Sequence, residues 1–388
     1  MITFNFDKYC CGCSACFNIC PVNAIIMKTN REGFLMPDID KSLCINCGMC
    51  DKACPYLNCK KDKIDLIDSK SFLYYYKDEK IRSKSASGAA FYAIALETIE
   101  NNGYVCGCIW NENLEAEHIV SNKLDDVLKM LSSKYVQSKI NNCYREIKEY
   151  LETKKPVLFS GTPCQVAGLR SFLAKEYDNL LTVSVICHGT PSPEVWKRYK
   201  NALEKKFKSK MTSVNMRDKS KYGYTKSVCR YEFENGKVVN WETYLRDIYC
   251  FCFTDDLYIR NSCLSCKYKG DFSKADIILG DYHKNIDGSG KYGVNIVLCA
   301  TLKGEAAVKK LKNSVIINYN DKHQIKSNNM LWNSTKGNSN RKSFFDDYDN
   351  TEIVKCIKKY IPFRFWFKVI LNKLGVFKVA KRIKDIKR

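Results

Sequence analysis

The apolar residues between positions 71 and 330 form short runs that alternate with helical patterns. Runs rich in β-branched and aromatic residues predict strands. Six such runs are Phe72–Lys77, Tyr104–Trp110, Pro156–Ser160, Thr182–Cys187, Ala275–Asp281 and Asn295–Thr301. Strands that alternate with helices in this way are typical of an α/β fold. We therefore expect one α/β domain over residues 71–330.

The pattern changes on both sides of this domain. Residues 24–40 alternate around a turn at Asn30–Gly33, which predicts a short hairpin. Residues 216–242 also alternate and predict an antiparallel pair of strands. Residues 331–354 are polar, and we expect them to be irregular. Residues 355–388 place bulky apolar residues between lysines and arginines, which fits either a docked C-terminal helix or a helix on an anionic membrane surface.

Composition narrows the class of protein. The chain has 388 residues, 45% hydrophobic and 27% charged, as in globular proteins. It begins without a basic and apolar leader and lacks a long uninterrupted apolar run, so we expect a cytoplasmic protein without a transmembrane helix. The formal net charge of +22 fits solvated lysines, an anionic cofactor, an acidic partner or an anionic membrane. No nucleic-acid-binding module is recognisable, so nucleic acid is not an expected partner.

Eight of the 22 cysteines fall in two copies of one pattern, C-x-x-C-x-x-C-x-x-x-C-P. The copies are Cys10, Cys13, Cys16 and Cys20, then Cys44, Cys47, Cys50 and Cys54. This is the bacterial ferredoxin spacing, in which the fourth cysteine of each run binds the other cluster. The predicted ligand sets for two 4Fe–4S clusters are therefore Cys10, Cys13, Cys16 and Cys54, and Cys20, Cys44, Cys47 and Cys50. Zinc is the alternative, but zinc ligands usually come as pairs.

Four further cysteines predict a third centre. Cys164 and Cys187 lie at two predicted strand-to-helix turns, and Cys263 and Cys266 form a C-x-x-C. If those strands are parallel, both turns lie at the carboxyl edge of the sheet, where open α/β sheets bind ligands. Together the four cysteines are candidate ligands of a third 4Fe–4S cluster, with zinc, two plain thiols or a reactive Cys164 as alternatives. Two cysteines in segment 249–253, which strand alternation would place on one face, compete for this role.

Several segments resemble the family of coenzyme F420 hydrogenase/dehydrogenase beta subunits. They are the double ferredoxin motif, SGTPCQVAGL, ICHGTPSP, NMRDKSKYGY and CLSCKYKGDFSKADIILGDY, and the resemblance covers about residues 5–330. It implies a flavoprotein in which FAD lies beside a 4Fe–4S cluster and exchanges a hydride with a deazaflavin or another acceptor. It also implies that Cys164, Cys187, Cys263 and Cys266 bind that cluster.

One group of candidate cofactor-binding residues rests on turn chemistry and charge. Ser85, Ser87 and Gly88 precede a predicted helix whose N-terminus would favour phosphate, with plain capping by Ser87 as the alternative. Arg217 and Lys219 are candidates for an anionic substrate, although surface charges need no such explanation.

A second group lies near the third set of cysteines. One segment is similar to a flavin-site segment of the family: Ser133, Lys134, Tyr135, Gln137 and Ser138. Three residues flank Cys164 and are candidates to contact the flavin ring: Thr162, Pro163 and Gln165. His188 is a candidate proton donor to reduced flavin, with a structural turn histidine as the alternative.

These features predict an α+β ferredoxin-like iron–sulfur domain (1–58), a larger α/β flavin-binding domain (71–330), and a linker with a basic amphipathic tail (331–388). Clusters carry single electrons, and flavin converts them into two-electron chemistry. We expect a flavin- and iron–sulfur-dependent oxidoreductase acting on a small molecule, which could serve surface polysaccharide biosynthesis. The alternatives are a coenzyme F420-dependent beta subunit that feeds a larger complex, or a flavin-free electron carrier. Expected partners are a redox protein or reduced ferredoxin, a small-molecule or deazaflavin substrate, and peripheral contact of the tail with a membrane.

Overall fold

The amino-terminal cysteine motifs lie on a small unit of short helices and one hairpin. The structure is a computed structural model that describes residues 5–58, 63–242, 246–284 and 286–373. Its helices are α1 Phe6–Tyr9, α2 Ala15–Ile19, α3 Met49–Ala53, α4 Glu79–Lys84, α5 Ala90–Glu100, α6 Leu124–Met130, α7 Cys143–Glu152, α8 Pro163–Leu173, α9 Pro193–Phe207, α10 Ile248–Thr254, α11 Leu302–Lys309, α12 Lys322–Ser327, α13 Asn329–Trp332, α14 Arg341–Asp347, α15 Ile353–Tyr360 and α16 Phe363–Lys373. Its strands are β1 Ile25–Thr29, β2 Leu35–Ile39, β3 Lys70–Tyr76, β4 Tyr104–Trp110, β5 Ala116–Ser121, β6 Val157–Gly161, β7 Leu180–Val185, β8 Met211–Asp218, β9 Val228–Phe233, β10 Val238–Glu242, β11 Ile277–Tyr282, β12 Val294–Cys299 and β13 Ser314–Asn318.

Eight strands form one mixed sheet in the order β13-β3-β12-β11-β7-β6-β4-β5. Neighbours among β4, β6, β7 and β11 pair in parallel, whereas β12 is antiparallel to both β11 and β3. Five strands (β3, β11, β7, β6 and β4) therefore run in one direction. Their ends form what we call the carboxyl edge. This confirms the expected α/β domain, with a mixed sheet.

Helices cover both faces of this sheet because its central strands are apolar on both sides. Every residue of β12 is buried, and β3 is exposed only at its first residue. Helices α7 and α8 pack on one face around Tyr144. Helices α5, α6 and α11 pack on the other face around Ile94 and Val127. Coverage of both faces is the usual solution for such strands.

A separate antiparallel sheet has the order β10-β9-β8. It confirms the antiparallel pair expected over residues 216–242, and β8 adds a third strand. A core around Trp196 joins this sheet to α9, α10, α14 and α15.

Helices also occupy part of the segment 331–354, where the polar composition predicts irregular structure. That expectation is wrong, because α14 and the start of α15 lie there. Phe344, Phe345 and Tyr348 are buried in the core around Trp196. Their spacing gives α14 one apolar face that the mean polarity of the segment hides.

The amino-terminal unit packs directly against the larger domain. Its expected hairpin is confirmed, with β1 and β2 antiparallel. A Cβ built at Gly168 on α8 would lie 2.7 Å from the Cys13 Cβ and 2.9 Å from its sulfur, so only glycine permits this approach. Arg145 on α7 donates from Nε to the Asn18 oxygen (2.6 Å) and from Nη2 to the Cys20 oxygen (3.1 Å). Helices of the larger domain therefore hold the unit at the cysteine loops.

The structure describes only the first part of the basic C-terminal tail, so it tests only part of what the sequence predicts there. Helix α16 covers the first part of the basic tail, and residues 374–388 lie outside the described residues. Among the residues that are described, no helix is long and apolar enough to cross a bilayer.

Candidate iron–sulfur and substrate site

The first predicted ligand set converges between α2 and α3. Burial raises the pKa of the Cys16 thiol, and the neighbouring Cys10 and Cys54 thiols raise it further. Cys13 is buried beside them. The Gly12 N–H donates to the Cys10 sulfur at 3.3 Å, and hydrogen bonds to ligand sulfurs help to set cluster potentials.

The second predicted set lines one cavity. Cys20 from the first run meets Cys44, Cys47 and Cys50 from the second. Gly48, in the left-handed region at φ +71°, turns the chain into α3 between the last two of these cysteines. The structure thus brings together the four cysteines that the spacing pairs across the two runs.

The third set lies at the carboxyl edge. Because β6 and β7 pair in parallel, Cys164 on α8 and Cys187 after β7 emerge at the same side. Cys164, Cys263 and Cys266 line one cavity. Burial raises the pKa of the Cys187 thiol, and the charges of Cys263 and Cys164 raise it further, which places Cys187 beside the same group.

A buried arginine lies between the first and third sets. Arg260 is 1% exposed. It donates from Nε to the Cys10 oxygen (2.5 Å), from Nη1 to Gln137 Oε1 (3.0 Å) and from Nη2 to the Leu35 oxygen (2.9 Å). These acceptors are neutral. The guanidinium charge favours the thiolate form of Cys164, although contact with another thiol and burial keep the pKa of Cys164 above its usual value.

A buried lysine lies on the other side of the third set. Lys269 donates from Nζ to the oxygens of Met330 (3.0 Å) and Asn333 (2.8 Å). Its charge favours the thiolate forms of Cys187 and Cys266. A buried cation is costly without a compensating anion, and within the described part of the chain both cations bond only neutral oxygens or sulfur. The residues around the third set therefore fit an anionic four-thiolate centre.

The first group of cofactor candidates gathers at the ends of β3 and β11. Ser87 was a candidate cap for α5, and this expectation is wrong because Ala89 is the N-cap. The Ser87 hydroxyl instead donates to the Val294 oxygen at 2.6 Å. Ser85 ends α4 and donates from Oγ to the Ile81 oxygen at 3.0 Å.

Glycine and two cations complete this group. A Cβ at Gly88 would lie 2.7 Å from the backbone nitrogen of Asn295, so close packing on the sheet already requires glycine. Lys219 donates from Nζ to the oxygens of Ser87 and Tyr292, and burial lowers its pKa to about 6. Arg217 forms an ion pair with Asp281 on β11, with Nη1 and Oδ2 2.7 Å apart.

The second group joins the third set of cysteines. Thr162 and Gln165 form a capping box around α8, with Pro163 at its first position. The Thr162 hydroxyl lies 3.2 Å from the Cys164 sulfur, and Gln165 Nε2 donates to the Ser138 hydroxyl at 2.9 Å. The structure therefore brings the SGTPCQ turn and the end of the 133–138 segment to one place.

The rest of that segment contacts β8. The Tyr135 N–H donates to the Met216 sulfur at 3.3 Å. Lys134 donates from Nζ to the Leu131 oxygen at 2.8 Å, and burial lowers its pKa to about 8. Ser133 is half-buried. Since β8 also leads to Arg217, this strand connects the two groups.

His188 has partners at both ring nitrogens. Nε2 lies 2.6 Å from Asp256 Oδ1, and Nδ1 lies 3.1 Å from the Met330 sulfur. Burial opposes ionisation of Asp256, but bonds from His188 and Thr335 hold its pKa below the usual value. These contacts favour the structural alternative, and the role of proton donor stays a prediction.

The competing cysteines of segment 249–253 lie on helix α10, so the strand expected there is wrong. The Cys250 sulfur is 3.1 Å from that of Cys229. With Asp247 they form a buried group within 4.8 Å. The Asp247 carboxylate already accepts from the Tyr231 hydroxyl (2.8 Å) and the Cys250 N–H (2.7 Å).

Sequence reasoning missed Arg260 and Lys269. Their contacts come from distant segments, and no spacing pattern marks them. The sequence also assigned no role to Cys11, which lies next to Cys10. It lines the cavity of the third set.

A double ferredoxin motif packed against further cysteines at the edge of an α/β sheet defines an iron–sulfur oxidoreductase. Residues 154–324 match the C-terminal domain of the coenzyme F420 hydrogenase/dehydrogenase beta subunit, and residues 9–58 match a 4Fe-4S dicluster domain.

Two curated relatives extend this assignment. A subunit of the F(420)H(2) dehydrogenase of Methanosarcina mazei is 25% identical over 287 residues, which cover 70% of this chain and 75% of the relative. The coenzyme F420-dependent sulfite reductase of Methanocaldococcus jannaschii is 28% identical over 163 residues. That match covers 42% of this chain and only 24% of the reductase.

Among solved structures, a chain of the F420-reducing [NiFe] hydrogenase complex from Methanosarcina barkeri, studied by xenon derivatization, is similar over 76% of this chain and 92% of its own length. Its sequence identity is 16% and the TM-score is 0.43, which is too low to support an argument about the site.

Proposed function

We propose that this chain is an electron-transferring subunit in which a bound flavin would divide the hydride of a deazaflavin of the coenzyme F420 type into single electrons, which 4Fe–4S clusters would carry to a redox partner protein. The observation that carries this proposal is the contact between two sets of thiols. Cys13 of the first set lies against α8, which carries Cys164 of the third. The relatives named for F420 chemistry support the choice of deazaflavin.

The proposal includes three clusters, each with one set of cysteines. The sets are Cys10, Cys13, Cys16 and Cys54; Cys20, Cys44, Cys47 and Cys50; and Cys164, Cys187, Cys263 and Cys266. It also keeps residues 1–58 and 71–330 as the ferredoxin and substrate domains. Bound clusters would supply one-electron steps. The chain's own part is to hold thiolates beside the buried cations Arg260 and Lys269.

FAD is the least supported part of the proposal. It rests on the family resemblance and on the gathering of both candidate groups at the carboxyl edge. The polar groups of Ser87 and Lys219 bond to the protein itself, so they offer no ready phosphate cradle. The proposal nevertheless needs such a group, because a deazaflavin gives up two electrons as a hydride and each cluster accepts one, and a bound flavin would supply that conversion. Its test is release of flavin from the pure protein on denaturation.

We further propose that the C-terminal helix contacts an anionic membrane surface. Phe363, Phe367 and Ile370 on α16 are 78%, 52% and 52% exposed and share one face. Residues 355–388 contain twelve lysines and arginines and one acidic residue, so half of the formal charge of +22 is concentrated there. Exposed apolar side chains flanked by cations are typical of interfacial helices. Flotation with anionic but not neutral vesicles, lost in a Phe363→Ser/Phe367→Ser variant, is the expected result.

The main test begins with protein purified without oxygen. Three clusters predict about twelve irons per chain with matching sulfide. Reduced coenzyme F420 should then bleach the clusters or reduce an added viologen dye. A Cys164→Ala variant should lose about four irons, whereas Cys299→Ala, which removes a buried thiol in β12, should lose none.

Two outcomes would contradict the proposal. About eight irons in the wild type would mean that the third set binds no cluster. Twelve irons without any reaction with reduced F420 would reject the deazaflavin but leave the electron-transfer role in place.

A further inference from the structure

Three side chains of the types that bind metal converge in the core around Trp196. They are Cys229 on β9, Asp247 immediately before α10, and Cys250 on α10. Their candidate ligand atoms all lie within 4.8 Å of one another, and each of the three residues is 0% exposed. This group is separate from the three sets of cluster cysteines and from both groups of cofactor candidates.

The Asp247 carboxylate has no cationic partner among the residues that the structure describes. It accepts from the Tyr231 hydroxyl at 2.8 Å, from the Tyr199 hydroxyl at 3.4 Å and from the Cys250 N–H at 2.7 Å. All three donors are neutral, and burying a carboxylate without a compensating positive charge is costly. A cation bound within this group would supply that charge.

The two sulfurs and a backbone oxygen lie near the separations that one metal ion requires. The Cys229 sulfur is 3.1 Å from the Cys250 sulfur and 3.5 Å from the backbone oxygen of Met216 on β8. In a tetrahedral zinc site, bonds of about 2.3 Å to sulfur and about 2.1 Å to oxygen place two sulfurs about 3.8 Å apart and a sulfur and an oxygen about 3.6 Å apart. The sulfurs would therefore have to separate by about 0.7 Å, whereas the Met216 oxygen already lies at the required distance.

We propose that Cys229, Asp247 and Cys250 bind one zinc ion, with the Met216 backbone oxygen as the fourth ligand. Thiolates favour zinc over magnesium or calcium, and four ligands from the protein are typical of structural zinc. Each thiol gives up its proton when the metal binds. The hydroxyl of Tyr231 orients the carboxylate, as outer-shell donors do in metal sites. The ion joins β8, β9 and α10, and because zinc has no redox chemistry this inference does not rest on the proposed function.

A disulfide between Cys229 and Cys250 is the rival interpretation. It would require an oxidant, and it would leave the buried Asp247 carboxylate without a cation. Zinc accounts for the thiol pair and the carboxylate together.

The experiment measures zinc and iron per chain in protein that is produced with added zinc and purified without oxygen. Cys229→Ala and Cys250→Ala are compared with a control, Cys252→Ala, which removes another buried thiol of the same helix. We expect about one zinc per chain in the wild type and the control, and loss of that zinc with unchanged iron in the other two variants. X-ray absorption at the zinc edge of the wild type should show two sulfur and two oxygen ligands, a result that does not depend on the folding of any variant.

Several results would overturn the inference. A wild type without zinc would mean that the group binds no metal, and zinc with four sulfur ligands would mean that zinc occupies a set of cluster cysteines. Zinc retained in both Cys229→Ala and Cys250→Ala would place it elsewhere in the chain. A peptide map that links Cys229 to Cys250 would establish the disulfide instead. Failure of the proposed function appears in other measurements, namely the iron count of the wild type and its reaction with reduced F420.

Discussion

Replacing Arg260 with methionine tests whether bound clusters supply the negative charge that balances this buried guanidinium. Methionine keeps most of the stem that packs by the Phe34 ring, 5.3 Å from the guanidinium carbon. It removes the charge and the hydrogen bonds to the oxygens of Cys10, Leu35 and Gln137. The change therefore acts on the contact between the ferredoxin unit and the third set of cysteines.

The magnitude follows from the three lost acceptor bonds. Hydrogen bonds to a charged group contribute about 1.5–3 kcal/mol each, so the gross loss for three bonds is about 4.5–9 kcal/mol. The variant no longer has to bury a cation, which offsets part of this loss. Removal of one member of a buried charge pair typically costs a net of about 3–5 kcal/mol. We expect about 3 kcal/mol of lost stability in the iron-loaded protein. At about 2 °C per kcal/mol for a long chain, the melting midpoint should fall by about 6 °C.

Arg145→Met is the matched control. Arg145 also donates to backbone oxygens of the ferredoxin unit, at Phe17, Asn18 and Cys20. It is only half-buried, so water can replace its bonds and the loss should be about 1 kcal/mol. The assay is thermal unfolding without oxygen, run on iron-loaded and iron-depleted samples of each variant.

The comparison between loaded and depleted samples decides the question. If cluster thiolates compensate Arg260, the substitution should be much more damaging in the loaded protein, because depletion leaves the cation uncompensated in the wild type. An equal loss in both samples would refute this reasoning and reduce Arg260 to a plain hydrogen-bonding clamp. No loss in either sample would refute the clamp as well.

Three further predictions concern packing, pH and iron supply. Gly168→Ala should destabilise the protein by about 1–3 kcal/mol through overpacking against Cys13, while Ser171→Ala on the same helix should not; denaturant titration measures both. Burial lowers the pKa of Lys219 to about 6 in the folded protein, below its value in the unfolded chain. At a pH between these two values, unfolding therefore takes up a proton. Wild-type stability relative to Lys219→Met should therefore rise from pH 6 to 9, by up to about 1.4 kcal/mol per unit, in melts across pH. Chelation should expose the ferredoxin unit to protease before the sheet domain.

Local signals made much of the fold predictable. The run Tyr104–Trp110 is β4 with unchanged bounds, because a continuous apolar run between turns needs no distant information. The run 182–187 shifted to Leu180–Val185, where pairing with β6 sets the ends. The two ferredoxin runs were equally local, since spacing along the chain determines which sulfurs meet.

Two other elements depended on hydrogen bonds of capping side chains, which the pattern of apolar and polar residues does not show. Alternation in segment 249–253 predicts a strand, yet α10 forms there because Asp247 caps it by accepting from the Cys250 N–H at 2.7 Å. The expected cap of α5 by Ser87 was also wrong, because the Ser87 hydroxyl donates to a backbone oxygen on β12.

The buried cations were beyond sequence reasoning for a different reason. Arg260 finds its acceptors at residues 10, 35 and 137, and Lys269 finds its own at 330 and 333. Such positions are defined only after the segments meet. The sequence indicated where thiols would gather but not what charge would surround them.

The surroundings of the third set suggest that metal binding and docking of the two units depend on each other. Without metal, burial and mutual repulsion raise the pKa of thiols such as Cys16 and Cys187, so they stay protonated and leave Arg260 and Lys269 without an anion. Under the proposed function, metal binding would release those protons and create thiolates beside both cations. Because Arg260 bonds the ferredoxin loop at Cys10, the same step would strengthen the contact between the units. One set of charges would thus favour both cluster assembly and the close approach that electron transfer needs.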